Sequence, residues 1–316
     1  MKSKNIVVIG GGTGTYTVLS GLKKYPVHLS AVVAMADDGG STKILREEFG
    51  VLPPGSVRPA IVALSNASEQ LSDLFNYRFE NGSGLRGHNF GNLLITALTK
   101  QLGSFEKAIQ EAGKILQIEG EVIPSTLGNC TLYAELENGQ VVKGEENIDV
   151  PKHDAKLRIK RIWLKPNCNA NPRALWAIKN ADLIVVGPGD IFSSILPNFL
   201  VKGLTSAVKK SKAKKTYVCN VMTKPGETTG YQVHTFVEML QSHIGKDVLD
   251  YVIVNIKKPS KERIKKYELQ GSEFVAFQKG NVRNVRPKII VGDFLRTKGF
   301  IRHDPDRLAK ALISLL

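Results

Sequence analysis

An apolar run, Ile6-Val7-Val8-Ile9, stops abruptly at Gly10-Gly11-Gly12-Thr13-Gly14-Thr15, and a stretch that suits a helix follows from Thr17 to Lys24. A strand that enters glycines and then a helix has few folds open to it. Consecutive apolar side chains need cover on both faces of a sheet, which a parallel sheet flanked by helices supplies. Glycine at the turn permits positive φ and lets a ligand approach with no Cβ in the way. Successive N–H groups can then face one anion, with the positive end of the helix behind them. This favours a phosphate-bearing nucleotide; a tight turn without ligand is the plain alternative. Gly10 and Gly12 fit the first two positions of G-x-G-x-x-G/A, but Thr15 stands third, where a small residue normally allows close helix–strand packing. No Gly-Lys-Ser/Thr follows, so this is not a Walker loop.

The same rhythm recurs along the chain. Leu29 to Ala36 runs into Asp37-Asp38-Gly39-Gly40-Ser41-Thr42, Asp182 to Val186 into Gly187-Pro188-Gly189-Asp190, Thr216 to Cys219 into Asn220, and Tyr251 to Val254 into Asn255. Helical patterns lie at about 67–79, 91–102 and 105–116, and a terminal helix is expected after Asp304 as cap with Pro305 in its first turn. Residues from about 119 to 166 break the rhythm with alternating runs and an Asn138-Gly139 turn, which predicts an antiparallel β insertion. The expectation is one α/β nucleotide-binding domain over 1–316, Rossmann-like, with a mostly parallel sheet, helices on both faces and that insertion.

Composition narrows the partners. No apolar stretch approaches the roughly 20 residues that span a bilayer, and only four apolar residues precede the glycines, too few for a signal-peptide core. A cytoplasmic protein without membrane insertion is expected. Cys130, Cys168 and Cys219 are far apart and odd in number, which suits buried free thiols. The net charge is +15, with basic clusters at 209–215 and 257–266. Aromatic residues interleave poorly with both, so the reading is a positive field that gathers small anionic ligands and no nucleic acid.

Ligands of open α/β sheets bind beyond the carboxyl ends of the strands. The segments that fall there are Gly11, Gly12, Thr13, Gly14 and Thr15; Asp37, Asp38, Gly39, Gly40 and Ser41; Gly187, Pro188 and Gly189; and Asn220. They should converge on one cleft. Asp37 and Asp38 can accept from a ribose, hold Mg²⁺ between phosphates, or cap the next helix. Arg58, after Pro53-Pro54-Gly55, is a phosphate clamp or a surface ion pair. In Gly87-His88-Asn89-Phe90-Gly91-Asn92, His88 is an acid/base or a structural histidine, and Asn89 and Asn92 are placed to grip a base or sugar. Ser193 and Ser194 cap a helix or bind phosphate, and Pro197-Asn198 is expected to interrupt that helix. G-x-S-x-G and H-E-x-x-H do not occur.

Together the strings GGGTGT, ADDGGST, PPGSVRPAIVALS, GHNFGNLLITAL, GPGDIFSSILPN, CNVMTKPGET and RHDP, from Ile6 to Pro305, resemble the CofD-like family, and within it the bacterial gluconeogenesis factor (YvcK-like) branch. The resemblance implies a Rossmann-like fold. The namesake branch transfers a phospholactyl group from a nucleotide-diphosphate donor to a deazaflavin. The branch this chain resembles is associated with growth on gluconeogenic carbon sources, cell shape and cell-wall synthesis. It is thought to bind nucleotide sugars such as UDP-N-acetylglucosamine as a regulator, with no required cofactor beyond Mg²⁺ carried with the nucleotide. The resemblance places Thr13 and Asn198 at the phosphates or sugar, and Tyr267 and Arg302 at the base or diphosphate. A homo-oligomer, a dimer, is also expected, since exposed strands in the insertion can pair between subunits, with cell-wall regulatory proteins as partners. Two departures stand out: Lys43-Ile44-Leu45-Arg46 replaces the usual glycine and arginine after ADDGGST, and Thr228 stands where an acid is expected. An Mg²⁺-dependent phospholactate-type transferase and an NAD-dependent oxidoreductase are the alternative functions.

Overall fold

The computed structural model of the chain describes residues 3–277 and 287–316. Strand β1 (Lys4–Gly10) leads through Gly11 into α1 (Gly12–Leu22) and β2 (Val27–Val33). Helices α2 (Gly40–Phe49), α3 (Pro54–Leu64), α4 (Glu69–Asn76), α5 (Phe90–Leu102) and α6 (Phe105–Ile115) precede β3 (Glu121–Pro124). An excursion holds β4 (Thr131–Leu136), β5 (Val141–Lys143), α7 (Glu145–Asp149) and β6 (Ile159–Lys165). The chain returns through α8 (Pro172–Lys179), β7 (Leu183–Val186), a π-helical turn (Ile191–Ile195), α9 (Leu196–Leu200) and α10 (Leu204–Lys210). It ends with β8 (Lys214–Val218), α11 (Val233–Ile244), β9 (Tyr251–Asn255), α12 (Lys261–Glu268), β10 (Lys288–Gly292) and α13 (Pro305–Ile313).

Seven strands form a parallel sheet in the order β10-β9-β8-β7-β1-β2-β3. Its two faces explain the unbroken apolar runs. Val7 and Ile9 of β1 enter one hydrophobic core, Ile6 and Val8 the other, and β7 splits likewise into Ile184 and Val186 against Leu183 and Val185. The chain fills one side of β1 with β2 and β3 and the other with β7 to β10. The β1–β7 border is therefore the topological switch point, where such sheets open a crevice.

The excursion is a separate antiparallel sheet, β5-β4-β6. Its start differs from the expectation. Glu121–Pro124 pairs in parallel with β2 as the outermost strand of the large sheet, because Val122 and Ile123 are each buried in a different core. The first helix also begins earlier than Thr17, at Gly12, inside the glycine run. Ordinary capping sets other boundaries: Asn89, Ser104 and Asn171 accept from backbone N–H groups at the starts of α5, α6 and α8. Asp304 accepts from Asp306 and Arg307 with Pro305 in the first turn of α13, as the sequence indicates. Cys130, Cys168 and Cys219 are buried and free. No helix among the described residues is long and apolar enough to cross a membrane.

Candidate functional site

The loop after β1 and the loop after β7 touch at the switch point. An added Cβ at Gly14 would lie 2.0 Å from the Pro188 carbonyl oxygen, so glycine is required where α1 presses on the Gly187-Pro188-Gly189 turn. Thr15 shows how the altered fingerprint still packs. Its buried hydroxyl donates to the Gly11 carbonyl at 3.2 Å and lies where a Cβ on Gly10, only 2.6 Å away, would clash. Thr15 therefore shapes the turn and does not face a ligand. Asn198, fully buried, donates from Nδ2 to the carbonyls of Gly10, Ser194 and Ile195. It lies inside α9, since the helix passes from π to α geometry at Leu196 instead of ending. Asn220 completes the junction by donating to the Gly189 carbonyl at 2.9 Å.

Above this junction lies a cleft of about 620 Å³, whose lining includes Gly11, Gly12, Thr13 and Gly14, Pro188 and Gly189, and Asn220. The N-terminus of α1 has no side-chain cap, so its first N–H groups remain available to an anion. Ser194 also lines the cleft, beside Gly12. Its neighbour Ser193 instead donates to Glu227 at 2.9 Å, below the surface. Neither serine caps the helix, and of the two only Ser194 faces the cleft.

One end of the cleft holds Tyr267, Ser272, Ile301, Arg302 and His303. The Tyr267 hydroxyl accepts from the Ile301 N–H at 3.0 Å, which couples α12 to the Arg302 segment. Burial lowers the His303 pKa to about 4, so the imidazole is neutral near pH 7, and its Nε2 has no partner among the described residues.

Carboxylates gather at the other end: Asp37, Glu145, Glu146, Asp149 and Asp190 line it, and Glu227 is buried just behind. Asp37 and Asp38 line different hollows. Asp37 faces the cleft and accepts from the Gly39 N–H and from the Thr42 hydroxyl at 2.9 Å; burial raises its pKa. Asp38 accepts from the Glu146 N–H and lines a separate hollow of about 540 Å³ with Lys43, Arg46 and Lys143. A shared Mg²⁺ between these two carboxylates does not fit this arrangement. Arg46, in the departing Lys43–Arg46 segment, donates to the Asp37 carbonyl at 2.7 Å and braces the loop from outside.

Other expected contacts stand behind the walls. Ser41 and Asn92 are buried and joined at 3.4 Å; Asn92 in turn accepts from Arg58 Nε at 3.2 Å. The Gly40 N–H donates to Glu146, and the Gly187 N–H donates to the Ile9 carbonyl. His88 is buried with no partner at Nδ1 among the described residues, and Asn89 caps α5. These residues support the site; they do not line the cleft.

Asp149, Lys224 and Glu227 escaped sequence reasoning. Lys224 Nζ bonds Asp149, lies 2.8 Å from Asp190 Oδ2 and 3.6 Å from Glu227 Oε1. Burial works against its charge, but Asp190, Glu227 and Asp149 together outweigh it and hold the ammonium above the ordinary lysine value. Burial and Asp190 push the Glu227 carboxyl upward despite Lys224. Glu145, desolvated and beside Asp37, is raised to about 9. One signal was available. The acid expected at Thr228 is supplied one residue earlier by Glu227, while the Thr228 hydroxyl accepts from the Lys224 N–H at 2.8 Å.

Residues 6–295 match the family described as 2-phospho-L-lactate transferase CofD. The gluconeogenesis factor of Bacillus subtilis is 40% identical over 313 residues, 98% of each protein. That of Listeria innocua is also 40% identical, over 98% of this chain and 95% of its own. A crystal structure of a Bacillus halodurans protein superposes with a TM-score of 0.94 at 39% identity, covering 99% of this chain and 100% of that one.

Proposed function

Because the chain belongs to the CofD family, we propose that it binds a nucleotide sugar of the UDP-N-acetylglucosamine type and acts as a cytoplasmic regulator of cell shape, cell-wall synthesis and growth on gluconeogenic carbon sources. The observation that carries this reading is the uncapped start of α1, beside Ser194 and Gly189, at the bottom of a 620 Å³ cleft on the switch point. A diphosphate there meets backbone N–H groups and the positive helix end. Tyr267, Arg302 and neutral His303 then face the base, and the carboxylates at the other end accept from sugar hydroxyls. The names of the relatives support the metabolic side of the proposal. Homodimer assembly and binding of cell-wall regulatory proteins belong to the same proposal; native mass spectrometry reads the subunit count and any retained ligand.

Calorimetric titration with UDP-N-acetylglucosamine is the test. Saturable binding is expected, with a loss of about tenfold or more for Thr13→Ala and for Arg302→Ala. Absence of binding at millimolar ligand would defeat the proposal.

A second reading is an Mg²⁺-dependent phospholactate-type transferase, favoured by the description of the family and by the carboxylates facing the cleft. Mg²⁺, when bound with the nucleotide, would offset charge on the leaving phosphate. In that reading the chain's own groups orient the diphosphate and exclude water. Mass spectrometry of protein mixed with Mg²⁺, nucleotide-diphosphate donor and deazaflavin acceptor decides it; a phospholactylated product would replace the regulator reading.

A further inference from the structure

Asp149, Asp190 and Glu227 each offer a carboxylate oxygen, and these oxygens all lie within 4.8 Å of one another. They come from three places: the last residue of α7 in the insertion, the residue after Gly189 in the β7 loop, and a buried position in the loop after β8. Like charges this close oppose one another, and burial sharpens the conflict. The space between them is filled by the Lys224 ammonium, which lies against all three. An ammonium has three N–H donors and no acceptor; Lys224 donates to Asp149 and Asp190 and makes a longer ion pair with Glu227. The remaining valences of Glu227 are also taken, by the Ser193 hydroxyl and by the Phe192 N–H at 3.1 Å.

We propose that Lys224 is a built-in counter-ion that stands where a metal ion would otherwise bind, and that it thereby pins the insertion to the glycine junction. Helix α7 is held at its first turn by Asp38 and Gly40, through Glu146, and at its last residue by Lys224. Glu145, Glu146 and Asp149 form one wall of the cleft, so the position of that wall depends on the second tether. Lys224 is thus a positioning residue. Its effect on nucleotide affinity rests on the function proposed above; its effect on metal binding does not.

Mn²⁺, a hard divalent probe with a direct electron paramagnetic resonance signal, tests the inference on the full chain without nucleotide. Lys224→Met removes the ammonium and leaves three carboxylates around an empty space. It is expected to bind Mn²⁺ about tenfold more tightly than wild type, or better, and to lose that gain when Asp190→Asn is added. Calorimetry with UDP-N-acetylglucosamine forms the second arm. Wild-type affinity should be indifferent to EDTA, whereas Lys224→Met should bind about tenfold more weakly in EDTA and recover with Mn²⁺. Should Lys224→Met fail to fold, the double variant Lys224→Met with Glu227→Gln removes the ammonium together with the buried carboxyl. That double variant is expected to unfold near the wild-type midpoint and to bind Mn²⁺ no better than wild type.

Wild type binding Mn²⁺ as tightly as Lys224→Met, with loss on Asp190→Asn, would overturn the inference and make the cluster a metal site. Equal, weak Mn²⁺ binding by both folded proteins would overturn it as well, as would tight Mn²⁺ binding by the double variant. If wild type ignores the nucleotide sugar altogether, the proposed function fails while the Mn²⁺ arm still decides the role of Lys224.

Discussion

The glycine junction and the acidic wall line one cleft, and they are built on opposite plans. The junction is made of backbone: N–H groups of α1, the carbonyl of Pro188 close to Gly14, and carbonyls gathered by Asn198 and Asn220. Its geometry follows from where Cβ atoms are missing. The wall is made of side chains from the insertion and from two loops, and its geometry follows from carboxylates gathered around Lys224. A backbone site tolerates no added volume but little depends on any one functional group. A side-chain site tolerates volume but depends on every charge.

This contrast can be broken most severely at Gly14. Gly14→Ala places a methyl 2.0 Å from a backbone oxygen that cannot swing away, so the variant is expected to lose about 3 kcal/mol or more in chemical denaturation. Stability within about 0.5 kcal/mol of wild type would mean that the loops do not press together as described. Glu145→Gln probes the wall. The carboxyl is raised from 4.5 to about 9, so the fold favours its protonated form. That contribution is complete below about pH 4.5 and is lost as pH rises toward 9. The glutamine variant should therefore be more stable than wild type by about 1–2 kcal/mol near pH 8.5, with the gap closing toward pH 4.5. Parallel urea titrations at both pH values read the sign. The smallest effect is expected at Ser194, which adds one hydroxyl to a site made of amides. Ser194→Ala should leave stability within about 0.5 kcal/mol and weaken nucleotide-sugar binding about three- to tenfold by calorimetry. Complete loss of binding would show that a side chain, not backbone, dominates that end.

The same contrast explains what could be read in the sequence. Apolar runs that end in glycine locate the large sheet and the junction, because each signal is contained in a few consecutive residues. Gly11 to Gly14, Pro188, Gly189, Asn220, Tyr267 and Arg302 do line the cleft. Thr15, Ser41, Asn92, Gly187 and Asn198 belong to the same strings but stand behind it; a motif does not tell a contact residue from its support when both are needed for one turn. Asp38 turns to a second hollow, a difference of one residue from Asp37 that only the path of the loop decides. Asp149, Lys224 and Glu227 could not be assembled beforehand, since Asp149 arrives with an insertion 75 residues from its lysine. Strand β3 reads as part of that insertion because four residues beside an alternating region carry too little pattern of their own.

The large sheet has one further consequence. Its left and right wings come from separate stretches of chain, β1 to β3 and β7 to β10, and among the described strands they pair only where β1 meets β7. The cleft lies across that seam, so whatever rests in it touches both wings and acts as a rivet. Mechanical parting of the wings must then shed the cargo along with the β1–β7 pairing and the packing of α13 on α1, and a loaded molecule should resist such parting more than an empty one.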